Sequence, residues 1–216
     1  MRTKILFILG FLMVLAAGVG FIVLRSGPEP ATKSQAIEEE KNQESERESI
    51  QEPEEIEHFT LLTKENFTLG LPLGWTEITQ PNLWPIVIID LQEEITDEKA
   101  KEIGFQTNLS IDRAKLEETL PEDYIENVKT GLIQSIPIIE IAKEEKTTIN
   151  DRVAYFLEIS SIQQDLYFKT LLVFMVDEEN TIWALSFNTL KESWLNYKDT
   201  FYQIAQSFKF NQKMLK

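Results

Sequence analysis

Twenty consecutive residues near the start of the chain, Ile5 to Leu24 (ILFILGFLMVLAAGVGFIVL), carry no charge and no strongly polar side chain. As a helix rising about 1.5 Å per residue, such a run spans roughly 30 Å, the hydrocarbon thickness of a bilayer. Arg2 and Lys4 precede it and Arg25 closes it. Residues 1–25 are therefore expected to form a single membrane-spanning anchor, with the lipid bilayer as partner of residues 5–24. Basic residues ahead of a span favour a cytoplasmic N-terminus. Beyond Arg25 and Lys33 the chain turns predominantly acidic, so the remainder is expected on the extracytoplasmic side of a cell membrane.

A cleaved secretory signal is the alternative. It has the same basic start but an apolar region of only about 7–15 residues that ends in small side chains. Ala16, Ala17, Gly18 and Gly20 supply small residues, yet Phe21-Ile22-Val23-Leu24 carries the apolar run past them. The chain contains no cysteine. No thiol exists to carry a lipid, and no disulfide can staple the body, which must hold together by packing alone.

Residues 26–58 hold 11 acidic and 3 basic side chains, a net charge of −8, and very few apolar ones. Such a segment cannot bury enough surface to offset its ordering entropy, so a disordered acidic linker is expected. At about 33 residues its coil dimension is roughly 30 Å, lengthened by self-repulsion. Residues 59–216 carry a net charge of −10 out of −15 for the whole chain. A body this acidic repels a phosphate backbone, and nucleic-acid binding is excluded as a reading. Its length suffices for one domain with a sizeable core.

The pattern changes at Phe59. Phe59–Leu62 and Phe67–Leu71 read as short strands joined by a polar turn, and Pro72-Leu73-Gly74-Trp75 as a second turn. Trp75–Thr79 reads as extended, Pro81–Pro85 as a loop, and Ile86–Leu91 as a strand. The charged stretch 92–104 is expected to be surface loop with at most a helical turn. Phe105, Thr107, Leu109 and Ile111 then alternate against polar residues as a half-buried strand. Two helices are expected. Thr119-Leu-Pro-Glu122 has a capping-box pattern ahead of the apolar stripe Tyr124, Ile125, Val128, Leu132 and Ile136. Thr189-Leu-Lys-Glu192 repeats the pattern ahead of Trp194, Tyr197, Phe201, Ile204, Ala205 and Phe208. Between the helices, Ile138–Ile149, Val153–Ser160, Leu166–Val176 and the stretch holding Trp183, Leu185 and Phe187 read as consecutive strands. Asn150-Asp151 and Asp177–Asn180 supply the turns. Short turns pair such strands antiparallel, giving an α+β body with an antiparallel sheet and helices packed on it.

The order Phe67-Thr-Leu-Gly-Leu-Pro-Leu-Gly-Trp75, Asn108-Leu-Ser-Ile111, a helix, a meander of long strands, and a last helix ending Ala205-Gln-Ser-Phe208 resembles PsbP-like domains. These share a superfamily with the Mog-type nuclear import factor and bacterial extracytoplasmic relatives. The resemblance covers nearly all of 59–216 and rests on order and spacing together. It implies a central antiparallel sheet sandwiched by helices and a non-catalytic accessory role. Metal-binding residues of photosynthetic members have no matching motif here, and none is carried over.

No catalytic constellation is visible. His58 is the only histidine and stands at the linker boundary; a solvated residue before a strand is the reading preferred over a general base. G-x-S-x-G, P-loop and G-x-G-x-x-G patterns are absent. Glu93, Glu94, Asp97 and Glu98 have oxygen ligands for calcium but not the spacing of an EF-hand, and read as a solvated loop. Asp177, Glu178 and Glu179 read as a hairpin tip. Catalytic, cofactor and metal residues are accordingly set at none. Trp75, Trp183 and Trp194 belong to the core pattern. Trp84, between Asn82 and Pro85 in a proline-bounded loop, is the candidate contact for a protein partner, with packing over the sheet edge as the alternative. The expected function is a membrane-tethered extracytoplasmic accessory or binding domain. An enzyme with dispersed residues, such as a hydrolase, and a cation sensor are the alternatives.

Overall fold

The structure, a computed structural model, describes residues 59–79 and 84–211. The anchor, the acidic linker and His58 lie outside the described residues; among those described, no helix is long and apolar enough to cross a membrane.

Among the described residues, ten strands form two antiparallel sheets. The small one has the order β1-β2-β10, from β1 (Phe59–Thr63), β2 (Phe67–Pro72) and β10 (Lys209–Phe210). The large one runs β3-β4-β5-β9-β8-β7-β6, from β3 (Trp75–Glu77), β4 (Ile86–Asp90), β5 (Asn108–Lys115), β6 (Ile138–Ile149), β7 (Arg152–Gln163), β8 (Leu166–Val176) and β9 (Thr181–Leu190). Helix α1 covers Glu98–Glu102, α2 Pro121–Ser135 and α3 Trp194–Ser207. The β6-β7 turn has Asn150 and Asp151 both at positive φ, 47° and 65°. These residue types tolerate the left-handed region, and their twist suits a two-residue hairpin.

Each face of the large sheet has its own cover. Trp183, Leu185 and Phe187 of β9 point to one side, Ile182 and Ala184 to the other, and all ten residues of β9 are buried. The first side joins α3 and the small sheet in a core of Phe67, Trp75, Trp183, Trp194, Phe201 and Phe208 with aliphatic neighbours. Gly70 lets β2 come up against the end of α3, where its N–H donates to Ser207 Oγ at 2.9 Å. A Cβ there would lie 3.0 Å from Phe59 and 3.2 Å from that oxygen. The second side packs against Ile125, Val128, Leu132 and Ile136 on or just past α2.

The expected helix-and-sheet sandwich is thus amended: one face is shared between a helix and a second sheet. Local expectations change too. Neither helix is capped by a threonine. Leu120 occupies the cap position of α2 with no side-chain bond, Pro121 following it. Thr189 stays in β9, its hydroxyl 2.7 Å from that of Thr107, and a turn of 3-10 helix at Lys191–Ser193 precedes α3. The helical turn in 92–104 is α1, capped by Asp97, whose carboxylate accepts from the Ala100 N–H at 3.0 Å.

Candidate functional site

Strand β5 brings Arg113 directly opposite Trp183 of β9. Side chains alternate along a strand, so Leu109, Ile111 and Arg113 share the face toward α3 and the small sheet. Leu109 and Ile111 are fully buried there; Arg113 is half-buried at the rim. Trp183, 1% exposed, lies beneath, and its indole N–H donates to Asp177 Oδ2 at 2.9 Å. Burial raises the Asp177 pKa, but that indole bond and the N–H groups of Thr181 and Glu179 outweigh it and hold the carboxyl below its usual range.

Trp84 closes the corner. Its ring meets Trp183 edge-on, centroids 5.6 Å apart at 74°, and the Trp84–Pro85 peptide is cis. Phe210 of β10 makes a second edge contact on Trp183 at 5.7 Å. The Arg113 guanidinium carbon lies 4.4 Å from the centroid of Trp84 and 5.3 Å from that of Trp183. Contacts of this kind contribute about 0.5–2 kcal/mol each, more as water is excluded. The structure therefore gives Trp84 a packing role and leaves it half-buried, on a corner built by β4, β5, β9 and β10.

The bases at this end of the large sheet differ in their partners. Lys115 pairs with Glu179 at 3.5 Å, and Arg152 pairs with Glu178. Arg113 has no carboxylate in ion-pair range among the described residues; its one bond to an acid is made by its backbone N–H, to Asp112 Oδ1 at 2.8 Å. Burial raises the Asp112 pKa, partly offset by that bond and by the Arg113 charge. Stacking occupies the flat face of a guanidinium and leaves the in-plane N–H groups pointing outward.

Elsewhere the polar groups close on one another. Tyr197 of α3 donates to Asp90 Oδ2 at 2.7 Å, and burial, then that bond, drive its pKa up. Glu93 accepts from the N–H and hydroxyl of Thr107 at 2.6 and 2.8 Å, and burial raises its carboxyl. Glu158 takes Tyr202 at 2.9 Å and Lys198 at 3.0 Å. On the α2 face, Thr170 donates to Asn188 at 2.9 Å, and Asn188 donates to Asn108 and Ser186, each at 3.2 Å. The four acids considered for calcium have separate partners: Glu93 turns inward to Thr107, Asp97 caps α1, Glu98 pairs with Lys101 at 2.8 Å, and Glu94 is exposed and acts on Lys101 only through its charge. No metal-holding group of three or more ligating side chains occurs among the described residues. Of the sequence candidates, Trp84 alone lies on an open corner with an available charge beside it. Arg113 escaped notice, although it follows Leu109 and Ile111 at the two-residue spacing of the core face.

The family model for PsbP matches residues 58–210. No curated protein matches the sequence. Among solved structures, cyanobacterial PsbP (CyanoP) from Synechocystis sp. PCC 6803 is 18% identical, with a TM-score of 0.53 over 71% of this chain and 92% of its own. LpqN of Mycobacterium tuberculosis, a protein involved in cell envelope biogenesis, is 11% identical, with a TM-score of 0.53 over 72% of this chain and 91% of its own. PA94 of Pseudomonas aeruginosa, a protein of unknown function, is 14% identical, with a TM-score of 0.50 over 73% and 99%. At these identities the likeness is one of fold.

Proposed function

The chain belongs to the PsbP family, and from that premise we propose that it is a membrane-tethered, extracytoplasmic accessory domain that binds a protein partner and carries out no catalysis. Residues 5–24 anchor it with the N-terminus in the cytoplasm, and residues 26–58 hold the body off the outer surface. The observation that carries the partner reading is Trp84: a large half-buried aromatic at a corner, fixed against Trp183 with the Arg113 guanidinium over it. Tryptophan and arginine are enriched among residues that dominate binding energy at interfaces. An accessory role agrees with the CyanoP likeness, which supports the fold on which such a role is built. Crosslinking in intact cells tests the reading. Specific adducts should form on the native chain and be lost with Trp84→Ala; undiminished adducts from a folded Trp84→Ala variant contradict it. Protease added outside whole cells tests the placement: the body should be cut from outside, whereas its survival until lysis would place it on the inner side.

A further inference from the structure

We propose that Arg113 is the specificity-determining contact of this corner and that it takes a carboxylate from an acidic peptide segment of the partner. The proposal rests on the partner-binding reading of Trp84 and names the chemistry that site selects. Three observations carry it. First, Arg113 stands in a chain of net charge −15 yet its guanidinium has no carboxylate within ion-pair distance among the described residues, Asp112 acting on it only through its charge. Lys115, two residues on along the same strand, is engaged by Glu179. Secondly, the acids near it are committed elsewhere: Asp177 to the Trp183 indole and two backbone N–H groups, and Asp112, whose charge Arg113 offsets, to the Arg113 backbone N–H on the other face of the strand. Thirdly, the guanidinium is held over Trp84 and Trp183 at 4.4 and 5.3 Å. That stacking orients the group in advance, so little side-chain freedom is left to lose when a ligand arrives.

A planar fork held this way matches the two oxygens of a carboxylate, through paired N–H···O bonds that lysine cannot reproduce. The aromatic rings flanking it exclude water from one side and strengthen those bonds. The body's net charge of −10 over residues 59–216 repels an acidic segment at long range, a repulsion screened by salt within about 10 Å. Recognition therefore depends on short-range geometry, and replacing the fork by a point charge is costly.

The test uses the full-length chain in detergent, isotopically labelled, with the Arg113 Nε–H and the Trp84 and Trp183 indole N–H signals followed by NMR. The probe is the blocked tripeptide acetyl-Glu-Asp-Glu-amide; acetyl-Gln-Asn-Gln-amide and inorganic phosphate are the comparison ligands. The expected result is a saturable shift of the Arg113 and Trp84 signals with the acidic peptide and none with its amide counterpart. Arg113→Lys should weaken binding at least about tenfold, one bidentate contact being worth that much, and Arg113→Gln should abolish it while leaving the indole signals of the fold in place. Absence of saturation in the native chain, equal binding of the amide peptide, or binding retained in Arg113→Gln overturns the proposal. Phosphate binding as tight as that of the acidic peptide overturns the carboxylate assignment. The two levels separate in cells: if Trp84→Ala abolishes crosslinks and Arg113→Gln leaves them intact, the partner surface stands and the carboxylate contact falls. If neither variant changes them, both fall.

Discussion

The two faces of the large sheet are built on different chemistry. Toward α3 and the small sheet the core is aromatic: Phe201 alone contacts the rings of Trp75, Phe187, Trp194 and Tyr197 at 5.1–6.2 Å. Toward α2 it is aliphatic for half its length and then polar, passing from Ile182, Ala184 and Leu172 to the ladder of Asn188, Thr170, Ser186 and Asn108. A single helix with one narrow stripe covers the aliphatic half, and hydrogen bonds between neighbouring strands satisfy the rest. The aromatic face joins elements distant in the chain and ends at a rim where Arg113 takes the place of another apolar residue. Packing and inter-strand hydrogen bonds finish the α2 face; the aromatic face leaves a charge at its rim. That contrast sets the Trp84 corner apart from the α2 face: a half-buried ring and a cation share its rim.

The largest expected effect breaks the contrast at its centre. Trp183→Ala removes a fully buried ring that touches Phe67, Trp84, Phe208 and Phe210, and should cost about 3–5 kcal/mol in denaturant unfolding. Leu132→Ala, 1% exposed on α2, should cost less, about 2–4 kcal/mol, because a helix resting on one face can settle into the space. Equal losses would mean that the faces are energetically alike. Next comes the ladder. Asn188→Ala strands the Thr170 hydroxyl and should cost about 1–3 kcal/mol, whereas adding Thr170→Val should restore part of the loss, because neither partner is then unsatisfied. A double variant as unstable as the sum of the singles would show that the ladder acts as independent bonds.

The smallest effects distinguish two aspartates by sign. Asp177 has its folded pKa lowered, so its contribution is present above the ordinary aspartate value of 3.8 and is lost as pH falls through the folded one. Asp177→Asn should therefore cost about 1 kcal/mol at neutral pH, solvent at the hairpin keeping the figure low, and should flatten the acid limb of a stability–pH curve. Asp112 is raised by burial: its ionised form opposes folding above that pKa, and the opposition disappears as pH falls through it. Asp112→Asn should raise stability slightly at neutral pH, with the difference vanishing in acid. Like signs for both substitutions at pH 7 would contradict the assigned environments.

Much of this architecture was legible from local patterning. The strands of the meander, the Asn150-Asp151 turn, and the stripes of α2 and α3 follow from two- and three-to-four-residue periodicities. What escaped depended on contacts with no local trace. Strand β10 is two residues long and exists by pairing with β2, Phe210 opposite Phe67, far away in sequence. The threonine caps misled because Thr189 finds a better partner in Thr107, across the sheet. Trp84 stood out through its proline-bounded loop, but its companion did not. An arginine at the end of an apolar alternation reads as a strand terminus until the register sets it against Trp183 and Trp84 meets its guanidinium.

The most direct measurement of the account is site-specific photo-crosslinking in intact cells, with the photoreactive residue placed at position 84 or, on the exposed side of α2, at Ile133. The account predicts a discrete adduct from position 84, lost when Arg113→Gln is added, and none from 133. Adducts from 133 alone, or no adduct from 84 in a folded chain, would contradict it.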